Sequence, residues 1–268
     1  MRQWTIDAFA AAPFMGNPAC VVEPFDEWPA ARWMQNLARE NNQADTAFLR
    51  RRGPDEYDLR WFTPTVEVPM CGHATLAAAH AVIAELGEAA GPVVFQSAWG
   101  RLTVNGSAAF YEMDLPADLP RRLAQAPGLS EALGGVEPLE VWSAAYLVAV
   151  LQDEASVITV APTLSKVAAL SKTLSGRGHL VVTAKADDKP YHVVSRFFAP
   201  GIGIPEDPTT GSAHCILAPL WSARLNQPKL TYFQAFPGRG GSIVAEFRGD
   251  RVTLGGQAIT VMESVLRV

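Results

Sequence analysis

A chain of 268 residues, 49% hydrophobic and 18% charged, carries enough apolar side chain to bury one large core or two ordinary ones, which excludes a disordered chain. Its formal net charge of −5 excludes a broad basic face for neutralising phosphates, so no nucleic-acid partner is expected. No stretch reaches the ~20 consecutive apolar residues that cross a bilayer as a helix, so no membrane partner is expected either.

Met1 to Phe9 alternates as a strand and lacks the charged start and continuous apolar core of a signal peptide. Alternation, β-branched residues and Gly/Pro/Asn/Asp punctuation predict further strands over Ala19–Glu23, Thr46–Arg51, Tyr57–Phe62, Val93–Gln96, Leu102–Val104 and Ala109–Met113. Asn105-Gly106 between the last two reads as a hairpin turn. The basic run Arg50-Arg51-Arg52 reads as a solvated strand edge. Pro29 opens a helix over Ala30–Glu40, with Trp33, Leu37 and Ala38 on one side. A second helix, Ala74–Leu86, is apolar almost all round and should be enclosed by protein on every side.

The Pro-rich segment Leu115–Pro120 is the expected linker between an N-terminal lobe, 1–117, and a C-terminal lobe, 118–268. Beyond it strands are expected over Leu139–Val141, Ala145–Leu151, Ser156–Val160, His179–Thr183, Tyr191–Phe198, Lys229–Gln234, Ser242–Phe247, Arg251–Leu254 and Ala258–Met262. A short helix over Thr163–Thr173 and a longer one over Ala213–Leu225, kinked at Pro219, complete the second lobe. Three cysteines, Cys20, Cys71 and Cys215, are an odd count without framework spacing and predict a reduced, cytoplasmic setting.

The two halves repeat. Arg60-Trp61-Phe62-Thr63-Pro64 is echoed by Arg196-Phe197-Phe198-Ala199-Pro200, and Gly72-His73-Ala74 by Gly211-Ser212-Ala213. Self-similarity of this kind predicts two similar lobes, each with strands around a central helix, related by pseudo-twofold symmetry. The glycine-led helix starts are then expected at a cleft between the lobes. A helix N-terminus offers unpaired N–H groups and partial positive charge to an anion, and glycine lets the ligand approach the backbone. Gly72, His73, Ala74, Gly211, Ser212 and Ala213 are therefore candidate site residues, against the plainer reading that they cap helices. Glu67, Glu206 and Asp207 precede these starts, and Asp45 lies between a helix and a strand, where an isolated Asp commonly serves a turn.

Other chemistries fit less well. A two-thiol racemase needs a cysteine before each glycine; Cys71 precedes Gly72, but Thr210 precedes Gly211, and Cys215 reads as core. Cys71-x-His73 and His214-Cys215 lack the spaced ligand pairs of a zinc site, so no metal is expected. Gly176-Arg177-Gly178 lacks the third glycine and the following helix of a dinucleotide fingerprint.

Taken together, Asp7-Ala8-Phe9, Gly16-Asn17-Pro18-Ala19, Arg60–Pro64 with Glu67, Cys71–Leu76, Ser195–Pro200, Glu206-Asp207-Pro208, Thr210–His214 and Arg239-Gly240-Gly241 resemble the phenazine-biosynthesis-like isomerases of the PhzF type, which share the diaminopimelate epimerase fold. The resemblance runs nearly the whole chain and implies a mixed α/β architecture of two barrel-like lobes, each around a central helix, and a homodimer. It also implies cofactor-free acid–base catalysis that moves a proton on a small unsaturated carboxylate. The family's catalytic Glu falls on Asp45, one methylene shorter, while His73, Asp207 and Ser212 match residues that position substrate and relay protons. Three functional readings follow: an isomerase with Asp45 as base, a non-catalytic binding protein of the same fold, and a one-thiol epimerase using Cys71.

Overall fold

The computed structural model describes residues 1–187 and 189–268. The chain forms two compact units, Met1–Asp114 with Gly255–Val268, and Leu115–Leu254. No helix among the described residues is long and apolar enough to cross a membrane.

In the first unit β1 (Arg2–Ala8) pairs antiparallel with β2 (Asn17–Val22). Helix α1 (Ala31–Asn41) then carries the chain over to β3 (Asp45–Gly53), which lies parallel to β2. This is the crossover that a parallel pair requires. Met34, Leu37 and Ala38 of α1 are buried with Val22, Phe48 and Phe62, which is why the apolar side of this otherwise polar helix is where the sequence places it. β4 (Glu56–Phe62) returns antiparallel to β3, and the two-residue β5 (Glu67–Val68) folds back on it. Next comes α2 (Gly72–His80), extended by one π-helical turn, Ala81–Glu85. All nine residues of α2 are buried; a helix apolar on every side has no solvent face to offer. β6 (Val93–Ser97) then lies parallel to β4, followed by the hairpin β7 (Gly100–Ser107) and β8 (Phe110–Pro116).

The second unit repeats the plan. After β9 (Arg121–Leu123) and the short α3 (Leu129–Ala132), β10 (Glu140–Ser143) pairs antiparallel with β11 (Leu147–Val150). The crossover here is made by α4 (Glu154–Thr159) and α5 (Leu164–Ser175), leading to β12 (Leu180–Lys185) parallel to β11. β13 (Val193–Ala199) is antiparallel to β12, and β14 (Ile204–Asp207) folds back on β13 as β5 does on β4. Helix α6 (Gly211–Leu225) follows, then β15 (Lys229–Gln234) parallel to β13, with β16 (Gly241–Arg248) antiparallel to it. The order antiparallel, parallel, antiparallel, parallel, antiparallel is the same in both units. β17 (Arg251–Gly256) leads out of this unit, and β18 (Ala258–Val265) pairs with β1 along its whole length.

That last pairing corrects the expected lobe boundary. Residues 255–268 were assigned to the C-terminal lobe, but β18 supplies an outer partner to β1 and belongs to the first unit. Two local expectations also fail for identifiable reasons. Ser156–Val160 is not a strand: Asp153 Oδ1 accepts from Ser156 N–H at 2.8 Å, capping α4, and a good N-cap outweighs the β-branched Val157 and Ile158. Asn105-Gly106 is not the turn. Both lie within β7, and the two-residue connection is Ala108-Ala109, since Ser107 pairs with Phe110. Gly106 is needed for another reason, as its φ is +136° and a Cβ there would sit 2.1 Å from the Phe110 carbonyl oxygen. The short β9, β14 and α3 carry too little periodicity to be read from sequence. Pro219 is accommodated inside α6 without ending it.

Candidate active site

The duplicated arginines lock each unit around the start of its central helix. Arg60 on β4 makes a two-pronged pair with Glu67 on β5, both contacts 2.7 Å. Arg196 on β13 does the same with Glu206 on β14, at 2.7 and 2.8 Å. The paired geometry fixes orientation as well as charge. Glu67 and Glu206 are thus held by arginines, which separates them from the other acids near the glycines. Arg196 also donates to the Val157, Ile158 and Val160 carbonyls. The Arg50–Arg52 run behaves as expected of a strand edge, pairing with Asp58 and Glu88.

In the first unit Asp45, the first residue of β3, reaches the N-terminus of α2. Cys71, at the N-cap, does not cap the helix with its side chain. Its thiol instead donates to Asp45 Oδ2 at 3.1 Å. His73, one turn-position further, places Nδ1 3.4 Å from Cys71 Sγ and Nε2 3.6 Å from Asp45 Oδ2. Asn17, fully buried at the start of β2, meets the same ring nitrogen as Cys71, with Nδ2 3.3 Å from His73 Nδ1. Because Asn17 presents its amide N–H₂ there, Nδ1 accepts and the ring proton sits on Nε2, toward Asp45. Burial pushes the imidazole pKa down to about 3, so His73 is neutral at neutral pH. Gly72 and Ala74 complete the first turn, whose backbone N–H groups receive no side-chain cap from Cys71; Thr75 turns back to the Cys71 carbonyl at 2.6 Å.

The second unit has a related but different cluster. Thr210 stands where Cys71 stands, and it too leaves its helix uncapped by its side chain. Its hydroxyl donates to Asp207 Oδ2. Gln234, at the end of β15, ties the loop together: Oε1 accepts from Thr210 N–H at 3.0 Å and Nε2 donates to the Asp207 carbonyl at 2.7 Å. Gly211 and Ala213 are buried in the first turn of α6. Ser212 between them is half-buried and shares a 2.9 Å hydrogen bond with the Tyr146 hydroxyl. His214 occupies the place of Thr75, with Nδ1–H directed at the Thr210 carbonyl at 2.8 Å, and burial lowers its pKa to about 4.

Every candidate residue read from the sequence therefore lies at the start of α2, at the start of α6, or at a strand end beside one of them. Asp45 and His73 come together with Cys71, while Asp207 and Ser212 each acquire a local hydroxyl partner. Three contributors were not assigned a role from sequence. Asn17 gave a signal only as part of a motif, Gln234 only as the end of a predicted strand, and Tyr146 only as part of another.

The sequence matches the phenazine biosynthesis-like protein family, PhzC-PhzF, over residues 6–264. It is 42% identical over 264 residues to an uncharacterized isomerase of Pseudomonas aeruginosa, covering 98% of this chain and 97% of that one. Among solved structures, a PhzF-family phenazine biosynthesis protein of Enterococcus faecalis superposes with a TM-score of 0.91 at 38% identity, covering 99% of both chains. The fold alone extends further, to a hydroxyproline epimerase of Agrobacterium vitis at a TM-score of 0.60 and 11% identity over 98% of this chain and 91% of that one. A match over nearly the whole length, with relatives above 30% identity, places this chain in the phenazine biosynthesis-like (PhzC-PhzF) family.

Proposed function

We propose that the protein is an isomerase that moves a proton on a small, unsaturated, carboxylate-bearing substrate by acid–base catalysis, without a cofactor in the proton-transfer step, and that Asp45 is the base. The observation that carries this reading is the buried cluster of Asp45, Cys71 and His73 at the uncapped first turn of α2. The naming of close relatives as isomerases agrees with it.

Each residue has a role that its surroundings support. Asp45 takes the proton from carbon and returns it elsewhere. Its side chain is short, but β3 begins at Asp45 itself, so the backbone brings the carboxylate to hydrogen-bond range of the helix start. His73, kept neutral by burial, places its Nε2 3.6 Å from Asp45 Oδ2 and so brings a polar, uncharged group to the carboxylate. The N–H groups of Gly72, His73 and Ala74 bind the substrate carboxylate or the enolate that develops from it; losing one such donor typically costs about 10²–10³ in rate. In the second unit, Asp207, Gly211, Ser212 and Ala213 are the candidate residues for binding a polar group at the start of α6. The test is proton exchange in D2O, followed by NMR, across a panel of small unsaturated and α-substituted carboxylates. Wild-type protein should exchange at least one of them, and Asp45→Asn should not. Equal exchange by the variant would remove Asp45 as the base.

One contact favours a second reading. The Cys71 thiol lies 3.1 Å from Asp45 and 3.4 Å from His73, close enough for the thiol to be the proton carrier with Asp45 as its partner. This is the one-thiol epimerase. Cys71→Ser discriminates: the Asp45 reading expects a loss of less than about tenfold, and the thiol reading expects exchange to disappear.

A further inference from the structure

The side chains of Asp45, Cys71 and His73 bring a carboxylate oxygen, a thiol sulfur and an imidazole nitrogen within 4.8 Å of one another. Sequence spacing argued against a metal because Cys71-x-His73 supplies two donors from one short segment and no second pair. The tertiary structure adds the third donor from a different element, β3. The triangle has edges of 3.1 Å from Cys71 Sγ to Asp45 Oδ2, 3.6 Å from Asp45 Oδ2 to His73 Nε2, and 3.9 Å from Cys71 Sγ to His73 Nε2. Tetrahedral zinc with ordinary Zn–S, Zn–N and Zn–O lengths requires edges of about 3.3–3.6 Å. Adjustments of a few tenths of an ångström therefore suffice.

We propose that these three residues form a binding site for Zn²⁺, with the fourth position left to water or to a carboxylate ligand. The donor set of thiolate, imidazole and carboxylate is one that zinc accepts and that hard cations such as Mg²⁺ do not favour. Three protein ligands with one open position is the arrangement of a zinc that exchanges ligands, as opposed to a closed structural site. Asp45, Cys71 and His73 each keep 7 or 8% of their surface exposed, so the triangle is not sealed. Binding replaces the Cys71 S–H bond by a Zn–S bond and releases one proton per zinc. A metal on Nε2 moves the ring proton to Nδ1. Asn17 meets that change by rotating its amide, so that its carbonyl oxygen accepts where its N–H₂ had donated. The consequence for activity rests on the proposed function: zinc occupies the base and the thiol together, and so blocks proton transfer reversibly.

The test is direct metal binding to the full-length protein after chelator treatment and desalting. Co²⁺ is used as the spectroscopic stand-in for zinc, and Zn²⁺ affinity is read by competition with a chromogenic chelator. The expected result is one ion per chain, tetrahedral d–d absorption, and a thiolate-to-cobalt charge-transfer band. Cys71→Ser should abolish that band and weaken zinc at least tenfold, and Asp45→Asn should weaken zinc at least tenfold while a thiolate band remains, whereas Cys20→Ser and Cys215→Ser leave both unchanged. Unmodified protein supplies a second readout: Zn²⁺ should slow alkylation of Cys71 by iodoacetamide, and a chelator should restore it. An octahedral cobalt spectrum without charge transfer, unaltered zinc affinity in Cys71→Ser, or no protection of Cys71 would overturn the site. The outcome separates from that of the function test. Zinc binding with undiminished proton exchange in Asp45→Asn would keep the site and discard the base; the reverse pair of results would do the opposite.

Discussion

Cys71 and Thr210 occupy the same position, the N-cap of the central helix, in the two units, and each donates its side-chain proton to an aspartate while accepting no capping bond from its own helix. The aspartates come from different places. Asp45 opens β3, whereas Asp207 closes β14 directly before the helix. The duplication therefore preserved the contact and changed both chemistry and source: a thiol with a distant acid in one unit, a hydroxyl with a local acid in the other.

From this difference the two units should respond unequally to loss of the acid. Asp45→Asn is expected to lower proton exchange by about 10²–10⁴, the usual contribution of a positioned acid–base group. Cys71→Ser should lower it less than about tenfold, because a hydroxyl still donates to Asp45. Both are measured as initial rates of deuterium incorporation at matched substrate concentration.

The two arginine–glutamate pairs have the same geometry but different burial. Arg196 and Glu206 side chains are 8% and 14% exposed, against 28% and 42% for Arg60 and Glu67. Glu206→Gln leaves a buried guanidinium uncompensated and should cost about 3 kcal/mol. Glu67→Gln should cost about 1 kcal/mol or less, since solvent screens that pair. Urea unfolding of the two variants reads the difference, and equal losses would show that burial does not decide it.

His73 and His214 give the fold an acid-sensitive component. Burial lowers their pKa values to about 3 and about 4, below the ~6.5 expected of an unfolded chain. The unfolded state then binds more protons between those values. The stabilisation is full above about pH 6.5 and is lost as the pH falls toward the folded values. Between pH 7 and pH 5 each histidine should account for about 2 kcal/mol. His214→Gln, compared with wild type by urea unfolding at both pH values, should shrink the difference by that amount; an unchanged difference would count against the assignment.

Gly106 is expected to resist replacement although it lies inside a strand. Its φ of +136° and the 2.1 Å approach of a Cβ to the Phe110 carbonyl predict a loss of about 1–3 kcal/mol for Gly106→Ala. Gly91, where a Cβ meets nothing within 4 Å and φ is not positive, should tolerate alanine with little change. Thermal melts of the two variants make the comparison.

Much of the architecture was legible because long-period repetition and enclosed helices are properties of the chain alone. The repeated Arg-aromatic-Phe-x-Pro unit predicted two units of one plan, and the matching order of strand pairings in each bears this out. The apolar girth of Ala74–Leu86 predicted a helix with no solvent face; all nine residues of α2 are buried, whereas the π-helical turn that extends it reaches the surface at Ala84. Where propensity was the only guide it failed, as at Ser156–Val160, because one capping carboxylate decided between helix and strand.

By itself, then, the sequence determined the family, the duplicated plan and the two glycine-led helix starts, since these depend on residue identity and order. Only the tertiary structure decided that β18 returns to β1, that Glu67 and Glu206 are bound by arginines, and that Asp45, Cys71 and His73 converge. The physical reason is the range of the interactions. Capping, periodicity and turn preferences act over a few residues and leave a local imprint. The pairing of chain ends and the meeting of a strand's first residue with a helix's first turn require distant segments to be packed, and no single residue's chemistry announces them.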